Sequence, residues 1–190
     1  MTRIARTVGG TLAAGAAALA LAVLPAVSAS AATTGTNGTA TLSATGPATV
    51  VTDGNGALNG VGTGTVTLTG TNFDGNAGGL GFGVYAVYGP KESDYFTNSG
   101  WYGSAQWIPK SSFTTGGKFT TTLTVSKSYT ADPHHTGDAA AKVNCAYDTT
   151  KTKAANAALG KYKCYLQTFS AHGVQNSTPT RDEVTIPVNW

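Results

Sequence analysis

The sequence predicts an all-β fold, an antiparallel β-sandwich of about seven to eight strands. Two observations lead to this prediction. Short runs rich in threonine, valine and aromatic residues alternate between apolar and polar positions, which is the period of a half-buried strand. Clusters of glycine, asparagine, aspartate and proline separate these runs, as turns require. Short strands at such spacing are typical of a sandwich or a barrel.

Each predicted element rests on a local pattern. The candidate strands span residues 39–44, 64–69, 82–88, 104–108, 118–126, 141–146, 162–170 and 184–189. Turn signals at 54–56, 74–76 and 116–117 contain glycine, which adopts the positive φ angles of tight turns without steric cost. Only residues 153–159 are capable of forming a helix, and this stretch is too short to carry a fold.

The first residues have the composition of an export signal. Arg3 and Arg6 form a basic start, and an apolar run at 11–24 is too short to span a bilayer comfortably. Small residues then offer cleavage positions between Ala29 and Ala32. The predicted organisation is therefore a signal peptide at 1–32, a disordered lead-in at 33–38 and one sandwich domain at 39–190.

The net charge argues against two classes of partner. The chain has 12 basic and 9 acidic residues, and removal of Arg3 and Arg6 with the leader leaves 10 against 9, or +1. A nearly neutral chain has no electrostatic reason to bind nucleic acid or anionic lipid. No long apolar stretch follows the leader, so we expect no membrane anchor and a secreted, extracellular protein.

Cys145 and Cys164 are the only cysteines. In an exported chain, two cysteines out of two predict a disulfide bond. A loop of this length gives roughly 3 kcal/mol of stabilisation in the chain-entropy model. The alternatives are two free thiols or half of a metal site, although zinc sites use three or four ligands.

Several segments resemble the neocarzinostatin family. Residues 119–129, Gly137 and the Lys-Val-Asn-Cys run at 142–145 are similar to the second half of that family, and segments 40–44 and 65–73 are similar to its first hairpin. The resemblance implies an immunoglobulin-like β-sandwich that serves as a secreted, non-catalytic binding or surface module. The alternative that it implies is a carrier of an apolar aromatic small molecule, an enediyne-like chromophore or haem.

Other segments resemble immunoglobulin-like domains of actinobacterial surface proteins, namely 83–90 and 168–173. Such domains imply another extracellular protein as a partner. Two features depart from the antibiotic carriers of the neocarzinostatin family. Val87 takes the place of the first cysteine of their second disulfide, and the loop between Cys145 and Cys164 is much longer.

The resemblance also implies a ligand-binding face on two neighbouring strands. The outward positions that match the family's cleft wall are Tyr85, Val87, Tyr165, Gln167 and Phe169. An apolar, aromatic concavity with one amide suits a flat hydrophobic ligand. The alternative is that the loop at 89–111, or the long loop after Cys145, folds over this face and buries it.

The remaining candidate sites have simpler explanations. Asp132, His134, His135 and Asp138 have side chains that bind metals or haem. The two histidines are adjacent and Pro133 precedes them, which indicates a solvated loop. Ser170, His172 and Asp182 are the residue types of a hydrolase triad. The sequence around Ser170 has no nucleophile elbow, which such a hydrolase would need. We therefore expect no enzyme activity, no cofactor and no metal.

An aromatic run is the last candidate. It consists of Tyr95, Phe96, Trp101, Tyr102 and Trp107. Such a run forms either a platform on which a sugar or haem stacks, or the internal packing of a long loop between strands. The sequence does not choose between the two.

Overall fold

The computed structural model describes residues 33–46, 50–52, 58–60, 63–76, 79–91, 99–131, 141–173 and 182–190. The predicted signal peptide lies outside the described residues, as do the histidine loop at 132–140 and the first two aromatic residues of the run. No helix in the described part of the chain is long and apolar enough to cross a membrane.

Strands are the main regular structure of the described residues. In chain order they are β1 (Thr33–Asn37), β2 (Ala40–Thr45), β3 (Val50–Thr52), β4 (Leu58–Gly60), β5 (Gly64–Thr71), β6 (Val84–Pro90), β7 (Ser104–Ile108), β8 (Phe119–Val125), β9 (Ser128–Thr130), β10 (Lys142–Asn144), β11 (Cys164–Ser170) and β12 (Val184–Asn189). One short α-helix, α1 (Lys153–Ala157), precedes β11, and 3-10 turns lie at Ser99–Trp101, Lys110–Ser112 and Ala171–Gly173.

The strands form three sheets. A four-stranded sheet has the order β1-β2-β5-β8, a six-stranded sheet has the order β3-β4-β12-β11-β6-β7, and β9 and β10 form a two-stranded sheet. All pairs are antiparallel except that of β4 with β12, which is parallel. The prediction of an all-β chain with antiparallel sheets is confirmed.

The four-stranded and six-stranded sheets contribute side chains to one hydrophobic core. Leu42 and Leu68 of the first sheet belong to the same buried cluster as Leu166 and Ile186 of the second. In β8 the predicted alternation is confirmed, because Phe119, Leu123 and Val125 are buried while the threonines between them are exposed or half-buried. Burial of these apolar side chains is the main source of stability.

Two tyrosines insert hydroxyl groups into the packed region beneath the six-stranded sheet. The hydroxyl of Tyr88 donates to the carbonyl of Ser126 at 2.7 Å and accepts from the indole of Trp190 at 3.1 Å. The hydroxyl of Tyr129 donates to the carbonyl of Trp101. Burial, which disfavours the charged phenolate, raises the pKa of Tyr88 and of Tyr129 far above the ordinary value.

The predicted lead-in at 33–38 is not disordered. Residues 33–37 form the edge strand β1, which pairs with β2 through a tight turn in which Gly38 has a φ of 58°. The strand has no apolar residue, so the sequence shows no alternation of apolar and polar positions from which a strand could be predicted. It is held instead by backbone pairing and by the close approach of Gly35 to the carbonyl oxygen of Thr185, which leaves no room for a Cβ atom.

The described residues also form more strands than the seven to eight predicted. The additional strands are β1, β3, β4 and β9. The last three are only three residues long, which is too short for a period-two pattern to be recognised. The predicted bounds of β7 and β12 agree with the structure.

The predicted disulfide is present between Cys145 and Cys164, whose Cα atoms are 5.4 Å apart. It joins the end of β10 to the start of β11 and closes the loop at 146–163, called the insertion below. The helix predicted at 153–159 is confined to Lys153–Ala157. The Thr152 side chain caps it by accepting from the backbone N–H of Ala155 at 3.2 Å.

Candidate functional site

The five predicted ligand-binding residues lie on one face of β6 and β11, and the structure brings four of them together. In the register of β6 with β11, Val87 lies opposite Gln167 and Tyr85 lies opposite Phe169. The rings of Tyr85 and Phe169 are 5.9 Å apart. Alternate residues of both strands point into the shared core, so this face is turned away from the core. Below, Tyr85, Val87, Gln167 and Phe169 are called the covered face.

Three members of the covered face are buried rather than open to a ligand. The exposed fractions of Val87, Gln167 and Phe169 are 1%, 0% and 6%. The ring of Tyr102 packs 5.9 Å from that of Phe169, and Gln167 donates its amide to the carbonyl of Pro90 at 3.3 Å. The amide oxygen of Gln167 has no hydrogen-bond partner in the described part of the chain. The middle of the predicted cleft is therefore a small second core.

The Tyr85 end of this face merges into a group of rings around His172. The imidazole lies 4.9 Å from the ring of Phe82, 5.8 Å from Tyr85 and 5.2 Å from Trp107. The indole of Trp107 donates to the carbonyl of Phe82 at 2.8 Å, which fixes its orientation. His172 itself has a φ of 58°, in the left-handed region.

The residues of the conceivable triad do not form one. The Asp182 carboxylate accepts from the backbone N–H groups of Asp74 and Gly75 at 2.7 and 2.8 Å. These bonds fasten the turn after β5 to the segment that enters β12. The aspartate thus has a structural role in this loop, while His172 is packed among aromatic rings.

The other end of β11 opens into a cavity. Tyr165 is half-buried and forms one wall of a pocket of about 360 Å³. The pocket is lined by Lys91, Tyr147, Lys153, Ala157, Lys161, Tyr162, Lys163 and Tyr165. We call it the lysine–tyrosine pocket. Its volume lies within the range of about 300–1,000 Å³ that is usual for small-molecule sites.

The insertion builds most of this pocket, and a buried asparagine holds the insertion in shape. Asn156 has no exposed surface. Its side chain accepts from the N–H of Asp148 at 2.9 Å and donates to the carbonyls of Asp148 and Thr152 at 2.9 and 3.1 Å. Its backbone carbonyl accepts from the N–H of Lys161 at 2.9 Å. The side chain of Asn156 therefore ties α1 to the segment before it, and its backbone carbonyl ties α1 to Lys161 of the pocket wall.

The far end of the insertion is fastened to the small sheet. The N–H of Asn144 donates to the carbonyl of Gly160 at 2.8 Å, and the N–H of Tyr162 donates to the carbonyl of Asn144 at 2.9 Å. The ring of Tyr162 packs 5.4 Å from that of Trp101. The pocket wall is therefore attached to the framework by hydrogen bonds and ring packing as well as by the disulfide.

The lysine–tyrosine pocket is positively charged. Four of its lining residues are lysines and none is acidic. Glu183 lies outside the lining and pairs with Lys91 at 2.7 Å. Asp148, the only acid of the insertion, pairs at 2.6 Å with Lys151, which does not line the pocket. Hydrogen bonds from Lys151 and Thr150 hold the pKa of Asp148 well below its ordinary value.

The aromatic run does not form one platform among its described members. Trp101 packs against Tyr162, Tyr102 packs against Phe169, and Trp107 packs against His172. Tyr95 and Phe96 lie outside the described residues, as do Asp132, His134, His135 and Asp138. No group of three or more histidine, cysteine, aspartate or glutamate side chains in the described part of the chain is placed to hold a metal ion.

Sequence reasoning missed the lysine–tyrosine pocket, although a signal was present. Between the two cysteines the chain has four lysines and one acidic residue. The charge of the whole mature chain is close to neutral and conceals this local excess. A charge count along the chain identifies the insertion as a basic segment.

Comparison with known proteins adds no relative. No protein-family model, no curated protein and no solved structure matches this chain. The resemblance to the neocarzinostatin family therefore stays a prediction.

Proposed function

We propose that this chain is an exported, non-catalytic binding module with an immunoglobulin-like sandwich frame, and that it holds a small anionic aromatic molecule in the lysine–tyrosine pocket. Three features support the frame and the location: the leader-like first segment, the disulfide, and the one core to which both large sheets contribute. Disulfides persist in oxidising compartments, which agrees with an extracellular location.

The composition of the pocket lining carries the proposal. Four lysines line one cavity, and of these Lys91 is paired with Glu183. Their positive charges repel one another, and an anion in the cavity replaces this repulsion by attraction. The rings of Tyr147, Tyr162 and Tyr165 add flat surfaces and hydroxyl donors. The lysine charges therefore favour an anionic ligand, and the tyrosine rings favour a ligand with a flat aromatic group.

The burial of the covered face weighs against an apolar ligand there. Such a ligand would need the space that Tyr102 and Pro90 occupy against Phe169 and Gln167. Tyr165 is the one predicted ligand-binding residue that lines the lysine–tyrosine pocket. The proposal therefore keeps this residue and moves the ligand to its end of β11.

Isothermal titration calorimetry with phenyl phosphate tests the proposal. Benzyl alcohol, which has the ring without the charge, is the control ligand. We expect binding of phenyl phosphate only, weakened by added salt because ions screen these partly exposed charges. The double substitution Lys161→Gln with Lys163→Gln should weaken binding by about tenfold or more, since a hydrogen bond to a charged group is worth about 1.5–3 kcal/mol.

The matched control replaces two lysines that lie outside the pocket. Lys118→Gln with Lys127→Gln changes the net charge of the chain by the same amount and should leave the affinity unchanged. Equal weakening by both double substitutions would indicate non-specific attraction. The absence of any binding of phenyl phosphate at low salt would refute the proposal.

A further inference from the structure

A second pocket adjoins the lysine–tyrosine pocket on the side of the disulfide. Its volume is about 210 Å³. It is lined by Cys145, Tyr147, Thr149, Lys163, Cys164, Tyr165, Pro187, Val188 and Asn189. We call it the disulfide pocket. Its lining comes from both ends of the disulfide-closed loop and from the last residues of β12.

The two pockets share a wall. Tyr147, Lys163 and Tyr165 line both of them. The Lys163 ammonium lies 5.1 Å from the centre of the Tyr147 ring, a cation–π contact that holds the two side chains together. Tyr165 stands beside them on β11, where it pairs with Pro187 of β12. A molecule that contacts these shared residues is therefore in reach of both pockets.

The two pockets differ in chemistry. The first is lined by four lysines. The second has Lys163 as its only charged residue. Its other accessible lining consists of the rings of Tyr147 and Tyr165 and the exposed residues Thr149, Pro187 and Asn189, because the disulfide and Val188 are buried in the core. A lining of this kind suits an uncharged ring, with the Thr149 hydroxyl and the Asn189 amide as hydrogen-bonding groups at its rim.

We propose that the two pockets form one two-part site, whose ligand carries an anionic group for the lysine–tyrosine pocket and a covalently attached uncharged ring for the disulfide pocket. This inference rests on the proposed function, since it assumes that the anion binds in the first pocket. It adds the shape of the ligand: an elongated molecule, charged at one end, that passes over the Tyr147–Lys163 pair.

The test compares a short and a long probe. Phenyl phosphate fills the first pocket only, whereas biphenyl-4-yl phosphate has a second uncharged ring. We expect the long probe to bind about tenfold more tightly, the effect of about 1.4 kcal/mol from the additional buried apolar surface. Thr149 is exposed in a turn, so Thr149→Met narrows the disulfide pocket without disturbing the core.

The expected result is that Thr149→Met removes the advantage of the long probe and leaves the affinity for phenyl phosphate unchanged. Thr122→Met, at an exposed position of β8 in the other sheet, is the control and should change neither affinity. In amide NMR spectra of the unsubstituted chain, the long probe should shift Thr149 and Asn189, and the short probe should not.

Other outcomes separate this inference from the proposed function. If phenyl phosphate binds and the long probe binds no better, the two-part site is refuted while the anion pocket stands. If Thr149→Met leaves the advantage of the long probe intact and the Thr149 amide does not shift, the second ring lies elsewhere and the inference also fails. If neither probe binds, both proposals fail together.

Discussion

The two ends of β11 show how one strand face gives two different surfaces. Tyr165 and Phe169 lie on the same face of the strand, four residues apart. Phe169 is buried under the ring of Tyr102, whereas Tyr165 is half-buried and lines an open, basic pocket. The strand therefore determines where a side chain points, and the segments that cross the sheet determine whether it is available to a ligand.

The insertion accounts for the difference at the Tyr165 end. At that end, the insertion wraps around a buried asparagine and places lysines around the cavity. At the Phe169 end, Tyr102 approaches from the segment before β7 and fills the space. The insertion therefore creates the candidate site.

The largest expected effect is on the covered face. Phe169→Ala removes a buried aromatic side chain and should lower the free energy of unfolding by about 3–5 kcal/mol. Urea unfolding followed by circular dichroism measures this change. Tyr165→Ala is the matched substitution on the same face, and it should cost clearly less stability because the side chain is half-buried.

The same pair of substitutions should have the opposite order in ligand affinity. Tyr165→Ala should weaken the binding of phenyl phosphate, and Phe169→Ala should leave it unchanged if the variant folds. A folded Phe169→Ala variant that loses binding would show that the ligand contacts the covered face. That result would break the distinction between the two ends of β11.

A smaller effect is expected at Asn156. Asn156→Ala leaves the N–H of Asp148 and several carbonyls without their partner, and unsatisfied buried groups cost about 1–3 kcal/mol. The same measurement of unfolding free energy applies, with Leu159→Ala as the control. Leu159 is in the insertion but is 58% exposed, so its removal should change stability by less than about 0.5 kcal/mol. Equal losses in the two variants would contradict this role of Asn156.

The smallest effect concerns the core that both regions share. The pKa of Tyr88 is raised on folding, so its contribution to stability is complete below the unfolded pKa of about 10 and is lost as the pH rises above that value. In the Tyr88→Phe variant this position cannot ionise. The free energy of unfolding should therefore fall less steeply with pH above 10, by up to about 1.4 kcal/mol per pH unit. Identical slopes above pH 10 would show that Tyr88 ionises as easily in the folded chain.

Part of this structure follows from the sequence alone. Alternation predicts β7 and β12 with the correct bounds, and the composition of an exported chain predicts the disulfide. The edge strand β1 is different, since it has no apolar residue and depends on pairing with β2 and on the close approach of Gly35 to Thr185. Interactions between distant segments determined the elements that the patterns missed.

The candidate site shows the same limit. The period of a strand places alternate residues of β6 and of β11 on one face of each strand. That the two strands are neighbours was implied only by the family resemblance, and their register brings the covered-face residues together. Their burial depends on Tyr102, more than 60 residues before Phe169 in the chain. The basic insertion was visible in the sequence as a local excess of lysine, but its closure into a pocket depends on the hydrogen bonds of Asn156.

The most direct test of the central claim is an amide NMR titration of the chain with phenyl phosphate. If the insertion forms the binding site, the amides of Tyr147, Lys161, Lys163 and Tyr165 shift together with one dissociation constant, and those of Tyr85 and Phe169 stay in place. Saturable shifts at Tyr85 and Phe169 with none in the insertion would contradict the account.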